Sequence, residues 1–370
     1  MSPINREEGL KVISILGARP QFVKAAAISR AIETLGTNNQ LEHVLLHTGQ
    51  HFDHAMSEVF FTELGIPQAA YNLNINCLNH GAMTGRMIEQ IETILLDEKP
   101  DCVLVYGDTN STAAGAFASA KLHMPVAHLE AGLRSYNRRM PEETNRVITD
   151  HCSDILFCPT EKAIEMLNTE GIVDGRHGRQ VILSGDVMYD CCLHYKQSCR
   201  PPSEPLPEKF ILATIHRGEN LESEDRIHET LDCLEVAASS FPIIMPAHPR
   251  TNKTLKALDR KLSPAITTLA PFSYLEMLYA LGQCEYVITD SGGLQKEAFF
   301  MEKKCITLRK ETEWVELVEI AANTLVKGGA EEMKAAIGNM SDTKVDWDTP
   351  LYGNGKASEV IIEELIKSYS

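Results

Sequence analysis

Along the chain, short apolar runs rich in Val, Ile and Leu alternate with longer stretches whose apolar positions recur at helical spacing. KVISILGA is expected as a strand and Pro20 to Leu35 as the helix after it; EHVLLHTG and His54 to Leu64 repeat the unit. CVLVYGD, PVAHLEA, DILFCPT and QVILSGD continue as strands, each bounded by Gly, Pro, Asp or Thr. Continuous β-branched runs of this length suit parallel strands covered on both faces. Strand–helix alternation then implies a doubly wound parallel sheet. At 199–208 the pattern breaks into CRPPSEPLPE, with four prolines in ten residues, which reads as a linker. Beyond it KFILATIH, PIIMPAH, AITTLAP, EYVITDSGG and KCITLRK restore the alternation. The expected organisation is a first domain over 1–198 and a second of the same class over 199–353. GKASEVIIEELIKSY, about 354–370, is expected as a final amphipathic helix packing back on the first domain. Two such domains would offer a cleft between the carboxyl ends of their strands, where open α/β sheets bind ligands.

Composition narrows the function. A chain of 370 residues with 44% hydrophobic and 23% charged residues fits a two-domain globular enzyme and not a disordered protein. No apolar run approaches the ~20 residues that span a bilayer, and MSPINREEGLKV has no signal-peptide core, so a cytoplasmic location is expected. A formal net charge of -16 argues against general nucleic-acid affinity, so an anionic ligand needs a local cluster of cations and N–H groups. The ten cysteines form no C-x-x-C pair and are expected as reduced thiols.

Candidate chemistry collects at the ends of the expected strands. In TDSGGLQKEAFF, Ser291, Gly292 and Gly293 join a strand end to a helix expected from Leu294 to Met301 and carrying Glu297. Such a junction is either an ordinary tight turn or a helix start whose free N–H groups hold a phosphate. GARPQFVK puts Arg19 and Lys24 where a dinucleotide enzyme has its glycine-rich turn; neither half carries G-x-G-x-x-G, which disfavours NAD. Asp108, Glu130 and Glu142 follow strand ends in the first half. Asp108 alone is read equally well as a helix cap, and Glu142 after Pro141 suits a helix dipole and an i, i+4 pair with Arg146. Together, carboxyl groups in differing environments can divide acid and base work. The second half offers His216 and Arg217 in ATIHRGEN and His248 in PAHPRT. His43, His47, His51 and His54 raise a metal reading, which Gly49 weakens by breaking a helical His47/His51 pair; no metal site is expected.

GARPQFVK, GDTNST, HLEAGLRS, MPEETNR, TIHRGEN, TDSGGLQKEA and YGNGKAS occur in the order found in the non-hydrolysing UDP-N-acetylglucosamine 2-epimerase family, which the chain resembles from about residue 11 to 368. The resemblance implies a GT-B fold, two Rossmann-like domains around a nucleotide-sugar site, and a homodimer. It implies that Arg19 and Lys24 contact the nucleotide sugar and that Asp108, Glu130 and Glu142 handle proton transfer and the leaving group. His216 matches the active-site histidine, Ser291, Gly292 and Gly293 the diphosphate turn, and Glu297 the ribose contact. Arg146 and Arg217 join the expected substrate-binding set. The implied reaction is elimination of UDP to a glycal followed by re-addition, with no cofactor or metal.

The chain departs from the family pattern at a few positions. Trp314 stands where a nucleotide-binding Arg is usual, Met277 where an aromatic ring lies against uracil, and Phe272 where a Gln is found; Trp314 is read as a substitute stacking surface. Asp53 interrupts a pattern tied to allosteric control, which is not carried over. GARPQF and ETEWVELVE look more like the branch acting on UDP-2,3-diacetamido-2,3-dideoxy-glucuronate, and Arg138 with Arg139 is a candidate pair for its C6 carboxylate or else two solvated arginines. A GT-B glycosyltransferase, a hydrolysing epimerase and a nucleotide-sugar sensor are the competing readings.

Overall fold

The computed structural model describes residues 9–35, 41–50, 61–221, 223–247, 249–258 and 260–369. His51, Asp53, His54 and His248, and most of the helix expected from His54, lie outside the described residues. The chain divides into two compact units, one formed by residues up to Cys191 with Pro350–Ser370 and the other by Cys192–Thr349. The chain thus leaves the first unit within the helix Val187–Tyr195, and the proline-rich run 199–208 belongs to the second.

The first unit is built on seven strands: β1 Leu10–Leu16, β2 Leu41–His47, β3 Tyr71–Asn72, β4 Cys102–Tyr106, β5 Val126–Leu129, β6 Ile155–Cys158 and β7 Gln180–Leu183. All pair in parallel, in the order β3-β2-β1-β4-β5-β6-β7. The second has six parallel strands: β8 Ile211–Thr214, β9 Ile243–Pro246, β10 Ile266–Leu269, β11 Tyr286–Thr289, β12 Cys305–Thr307 and β13 Asn323–Leu325. Their order is β10-β9-β8-β11-β12-β13. In each sheet the order reverses once, between β1 and β4 and between β8 and β11. Those switch points are where the flanking loops part and leave a binding crevice.

The helices cover the sheets because their apolar faces complete the cores. Ile13, Ile15, Val103 and Val105 pack with Met87, Ile91 and Leu95 and with Ala114, Ala116 and Ala118. The helix Asn110–Lys121 sits close to the sheet because it is rich in small residues: a Cβ on Gly115 would lie 2.8 Å from Ile15 Cδ1. In the second unit Ile211, Ala213, Ile288 and Ile306 pack with Leu231, Leu234 and Met333. The final helix Ala357–Tyr369 packs against the helix Arg19–Thr34. Buried Asp190 receives its free N-terminal groups, Ala357 N–H at 3.1 Å and Ser358 N–H at 2.7 Å. The ten cysteines are thiols, seven of them buried, so burial and not cross-linking explains their number.

Candidate active site

The switch point of the first unit is lined by carboxylates, and Asp108, Glu130 and Glu143 are each tied to a cation. Two turns bound it, after β1 and after β4. Gln21 knits them together: its Oε1 accepts from Gly17 N–H (2.7 Å) and Ala18 N–H (2.9 Å). Its Nε2 donates to Tyr106 O (2.8 Å) and Thr112 Oγ1 (3.0 Å). Pro20 suits the first turn of the helix Arg19–Thr34, whose N-terminus needs no proline N–H. Arg19 is half-buried there, and Lys24 one turn further on is buried and ion-paired with Glu130. Glu130, the residue after β5, has φ +68°, a left-handed conformation costly for a side chain with a Cβ. Strain of that kind, held by the pairing with Lys24 and by Glu130 N–H donating to Phe157 O (3.1 Å), fixes where the carboxylate points.

Asp108 follows Gly107, which has φ +63°, and does not cap the next helix; Thr109 does, accepting from Thr112 N–H (3.3 Å). Freed from that task, Asp108 pairs with Arg146 at 2.5 Å. Its backbone carbonyl accepts from Asn145 Nδ2 (3.0 Å). Glu142 occupies the first turn of the helix Pro141–Cys152, half-buried, as expected from the helix dipole. The i, i+4 pair expected with Arg146 is not what forms. The guanidinium meets Glu143 at i, i+3 (2.9 Å) and Asp108, because Glu143 and not Glu142 is the buried acid of that turn. Glu143 also accepts from Ser135 N–H (2.9 Å), Ser135 Oγ (3.0 Å) and Tyr136 N–H (2.9 Å). Burial works to raise its carboxyl, but these donors and Arg146 hold it below the usual carboxylate range. Arg138 and Arg139, in the same loop, are both exposed.

Behind these groups lies a buried chain. His128 on β5 places Nε2 2.8 Å from Gly107 O and Nδ1 2.7 Å from Asp150, which also meets Arg134 at 2.7 Å. Burial pushes Asp150 up, yet His128 and Arg134 win and hold it low. Of the four histidines weighed for a metal, His43 instead meets Ser14 Oγ (2.7 Å), and His47 packs beside Phe22 and Phe61.

The switch point of the second unit gathers donors. The helix Gly292–Phe300 begins at the first glycine, two residues before the expected Leu294. Ser291 is its cap, its Oγ 3.5 Å from Leu294 N. That places the N–H groups of Gly292 and Gly293 at the open end of the helix, where dipole and donors favour an anion. A Cβ on Gly292 would sit 3.7 Å from Trp314 Nε1 and 3.8 Å from Arg217 Nη2, so an indole N–H edge and a guanidinium flank the turn. Arg217 lies 3.9 Å from Glu313, which buried Arg309 holds at 2.8 Å. Trp314 is only 3% exposed and Lys296 Nζ lies 4.0 Å from its ring centroid. The stacking surface expected of it is therefore covered, and what it presents to the turn is its N–H edge. Glu297 is buried within the helix, and Met277 is half-buried on the helix Tyr274–Gln283.

His216 follows β8 and is joined to Asp290, the residue between β11 and Ser291: Nδ1 lies 2.9 Å from Oδ1. Sequence reasoning passed over Asp290, Glu143, Gln21 and the His128–Asp150 pair. Asp290 and Glu143 stood inside quoted motifs, beside residues given roles, and a polar residue at a buried strand end or helix start was the available signal.

Two doubly wound parallel-sheet units, one carrying paired acids and the other an anion-binding helix start, define a protein of the GT-B type. The chain belongs to the UDP-N-acetylglucosamine 2-epimerase family, whose family model matches residues 33–366. It is 49% identical to a UDP-2,3-diacetamido-2,3-dideoxy-D-glucuronate 2-epimerase of Pseudomonas aeruginosa, over 97% of this chain and 100% of that protein. Among solved structures, Methanocaldococcus jannaschii UDP-GlcNAc 2-epimerase in complex with UDP-GlcNAc and UDP matches with a TM-score of 0.89 at 38% identity, covering 98% of this chain and 100% of that one. The Neisseria meningitidis enzyme bound to UDP-GlcNAc matches with a TM-score of 0.83 at 30% identity, covering 97% and 100%. The chain is accordingly an isomerase of the UDP-sugar 2-epimerase kind.

Proposed function

We propose that this enzyme converts UDP-2,3-diacetamido-2,3-dideoxy-glucuronate to its manno epimer at C2, in the cytoplasm and as a homodimer, for surface polysaccharide synthesis. The observation that carries the substrate is the 49% identity, end to end, to a relative named for that reaction. No carbonyl lies next to C2, so its proton is not acidic in the bound sugar. The C1–O bond breaks first or nearly so, the electron pair leaves with UDP, and the C2 proton goes to a carboxylate, giving a glycal. A second carboxyl group then protonates C2 on the other face while a UDP oxygen re-forms the bond to C1. Asp108, Glu130 and Glu142 supply these carboxyl groups, and Lys24 and Arg146 hold two of them in place. The charge growing on UDP is met by the N–H groups at Gly292 and Gly293, by Arg217 and by His216. Arg19 joins Lys24 on the nucleotide sugar, Glu297 takes the ribose, Met277 and the Trp314 edge border the uridine, and Arg138 with Arg139 meets the C6 carboxylate.

Proton NMR in deuterated water tests the reading, with each UDP-sugar offered separately. Manno-type anomeric signals with deuterium at C2 from the uronate alone are expected. The same signals from UDP-N-acetylglucosamine alone would keep the mechanism and discard the substrate. That second reading is favoured by relatives at 43% and 39% identity that carry the UDP-N-acetylglucosamine name. Free UDP accumulating beside a released sugar would point to a hydrolysing enzyme, and transfer to an acceptor to a glycosyltransferase. Light scattering on a gel-filtration peak tests the dimer.

A further inference from the structure

Asp290 is given no chemical step above, yet among the described residues of the second unit's switch point its carboxylate is one of the most heavily hydrogen-bonded side chains, and it touches both His216 and Arg217. Its carboxylate is fully buried. Oδ1 faces His216 N–H (3.1 Å) and His216 Nδ1 (2.9 Å). Oδ2 accepts from Arg217 N–H (3.0 Å) and Asn220 Nδ2 (3.0 Å), and lies 3.1 Å from His216 N. Asn220 is itself fixed, donating to Leu308 O at 3.0 Å and accepting from Arg226 at 3.2 Å. So many donors on one carboxylate keep it ionised: burial works to raise the group, but His216, Asn220 and the backbone hold it below the ordinary range. An ionised carboxylate only accepts, so the imidazole nitrogen facing it must carry a hydrogen. Nε2 is left as the working nitrogen on a ring whose side chain is half open to solvent.

We propose that Asp290 is a positioning residue for the reaction, a carboxylate that locks His216 as the Nδ1–H tautomer and aims Nε2 at the diphosphate held by the adjoining 291–293 turn. This rests on the reading of His216 as a leaving-group residue. Asp290 and Ser291 are sequence neighbours, so one strand end sets both the turn that holds the anion and the orientation of the ring that answers it. With the uncharged ring, Nε2 is a bare acceptor that takes a proton from solvent, to which the ring is half open; once charged, it donates that hydrogen to the departing diphosphate and takes it back as the UDP oxygen re-forms its bond to C1. Asp290 stabilises the charged form without being protonated itself. A purely structural aspartate would knit β8 to β11 and leave the ring indifferent to its tautomer.

The first test needs no variant and no substrate. Long-range proton–nitrogen NMR on protein labelled at the histidine ring nitrogens is expected to show uncharged His216 with hydrogen on Nδ1, the minority form of free histidine. Hydrogen on Nε2 instead would overturn the proposal, whatever the enzyme acts on. The second is Asp290→Asn, whose amide oxygen still accepts from the backbone and Asn220. It is expected to lower kcat about 100-fold or more, with UDP affinity within about threefold, and to lose its effect in a His216→Gln background. A folded Asp290→Asn enzyme with wild-type kcat, or the same further loss in both backgrounds, would show the carboxylate to be scaffold only. If Asp290→Asn does not fold, the tautomer measurement still decides. If neither UDP-sugar turns over, the kinetics report on the proposed function and the NMR on this inference.

Discussion

The two units use one architectural device for opposite chemistry. Each ends its sheet reversal at a pair of loops, between β1 and β4 in the first and between β8 and β11 in the second. In the first, three proposed working carboxyl groups stand near that reversal, Asp108 after β4, Glu130 after β5 and Glu142 on the helix Pro141–Cys152, and the buried cations Lys24 and Arg146 constrain Glu130 and Asp108. In the second the working groups are donors, and buried carboxylates are the constraint, Asp290 on His216 and Glu313 beside Arg217. Working charge and supporting charge have exchanged signs. The difference teaches that a switch point supplies position only, while the side chains next to it decide whether it manages protons or holds an anion.

The largest effect should come from removing a working acid. Glu130→Gln is expected to lower kcat about a thousandfold while UDP affinity changes less than about threefold. Isothermal titration with UDP beside the kinetic assay checks this; an equal loss in both would break the division of labour between the units.

A pair of glycines sharpens the contrast in the next rank. Gly132 in the first unit has φ +83°, and a Cβ there would lie 2.4 Å from Ala163 O. Gly132→Ala should therefore destabilise by about 2–4 kcal/mol, read as a fall in Tm. In the second unit, Gly292→Ala meets nothing closer than 3.7 Å. Its Tm should hold while UDP affinity falls about tenfold, because the methyl group stands where the diphosphate is proposed to approach. A Gly292→Ala protein that loses stability and keeps its affinity would reduce the turn to an ordinary connection.

Specificity comes third. Changing Arg138 and Arg139 together to Met should cut the preference for the uronate over UDP-N-acetylglucosamine about tenfold, measured as the ratio of kcat/KM values. The loss is modest because both side chains are exposed and screened. Unchanged discrimination would leave them as solvated charges.

The eleven runs read as strands all became strands; most are parallel strands buried on both faces, which carry their signal in every residue. The edge strands Tyr71–Asn72 and Asn323–Leu325 were not legible. They are as short as or shorter than β12 but only partly buried, where β12 is buried throughout, so no apolar run marks them and only the neighbouring strand selects them. The same limit governs the site. Glu142 was placed correctly on its helix because Pro141 marks the start locally. Its partner was misassigned because spacing cannot tell which of two adjacent acids turns inward. Trp314 was read as a stacking surface because substitution suggests chemistry but not rotamer; Lys296 against its ring settles which edge is left. Asp290 went unweighed because its importance lies in donors 70 to 74 residues away in sequence, which no local pattern contains.

The smallest effect distinguishes the units by pH. Burial lowers His43 of the first unit to about 4 and also lowers His47, so both are neutral when folded near neutral pH. His43 meets the uncharged hydroxyl of Ser14, which in turn meets that of Tyr106. In the unfolded chain a histidine takes up its proton near pH 6.5, so stability present above that value is lost as pH falls toward 4. Asp290 of the second unit, held below the ordinary carboxylate range, loses its contribution only at lower pH, as do Glu143 and Asp150. Hydrogen exchange corrected for its intrinsic pH dependence should therefore show protection in the first unit falling between pH 6.5 and 4.5. The second unit should hold over that range, and His43→Gln should flatten the difference. Equal loss in both units would mean that His43 and His47 do not set the acid limit of the first.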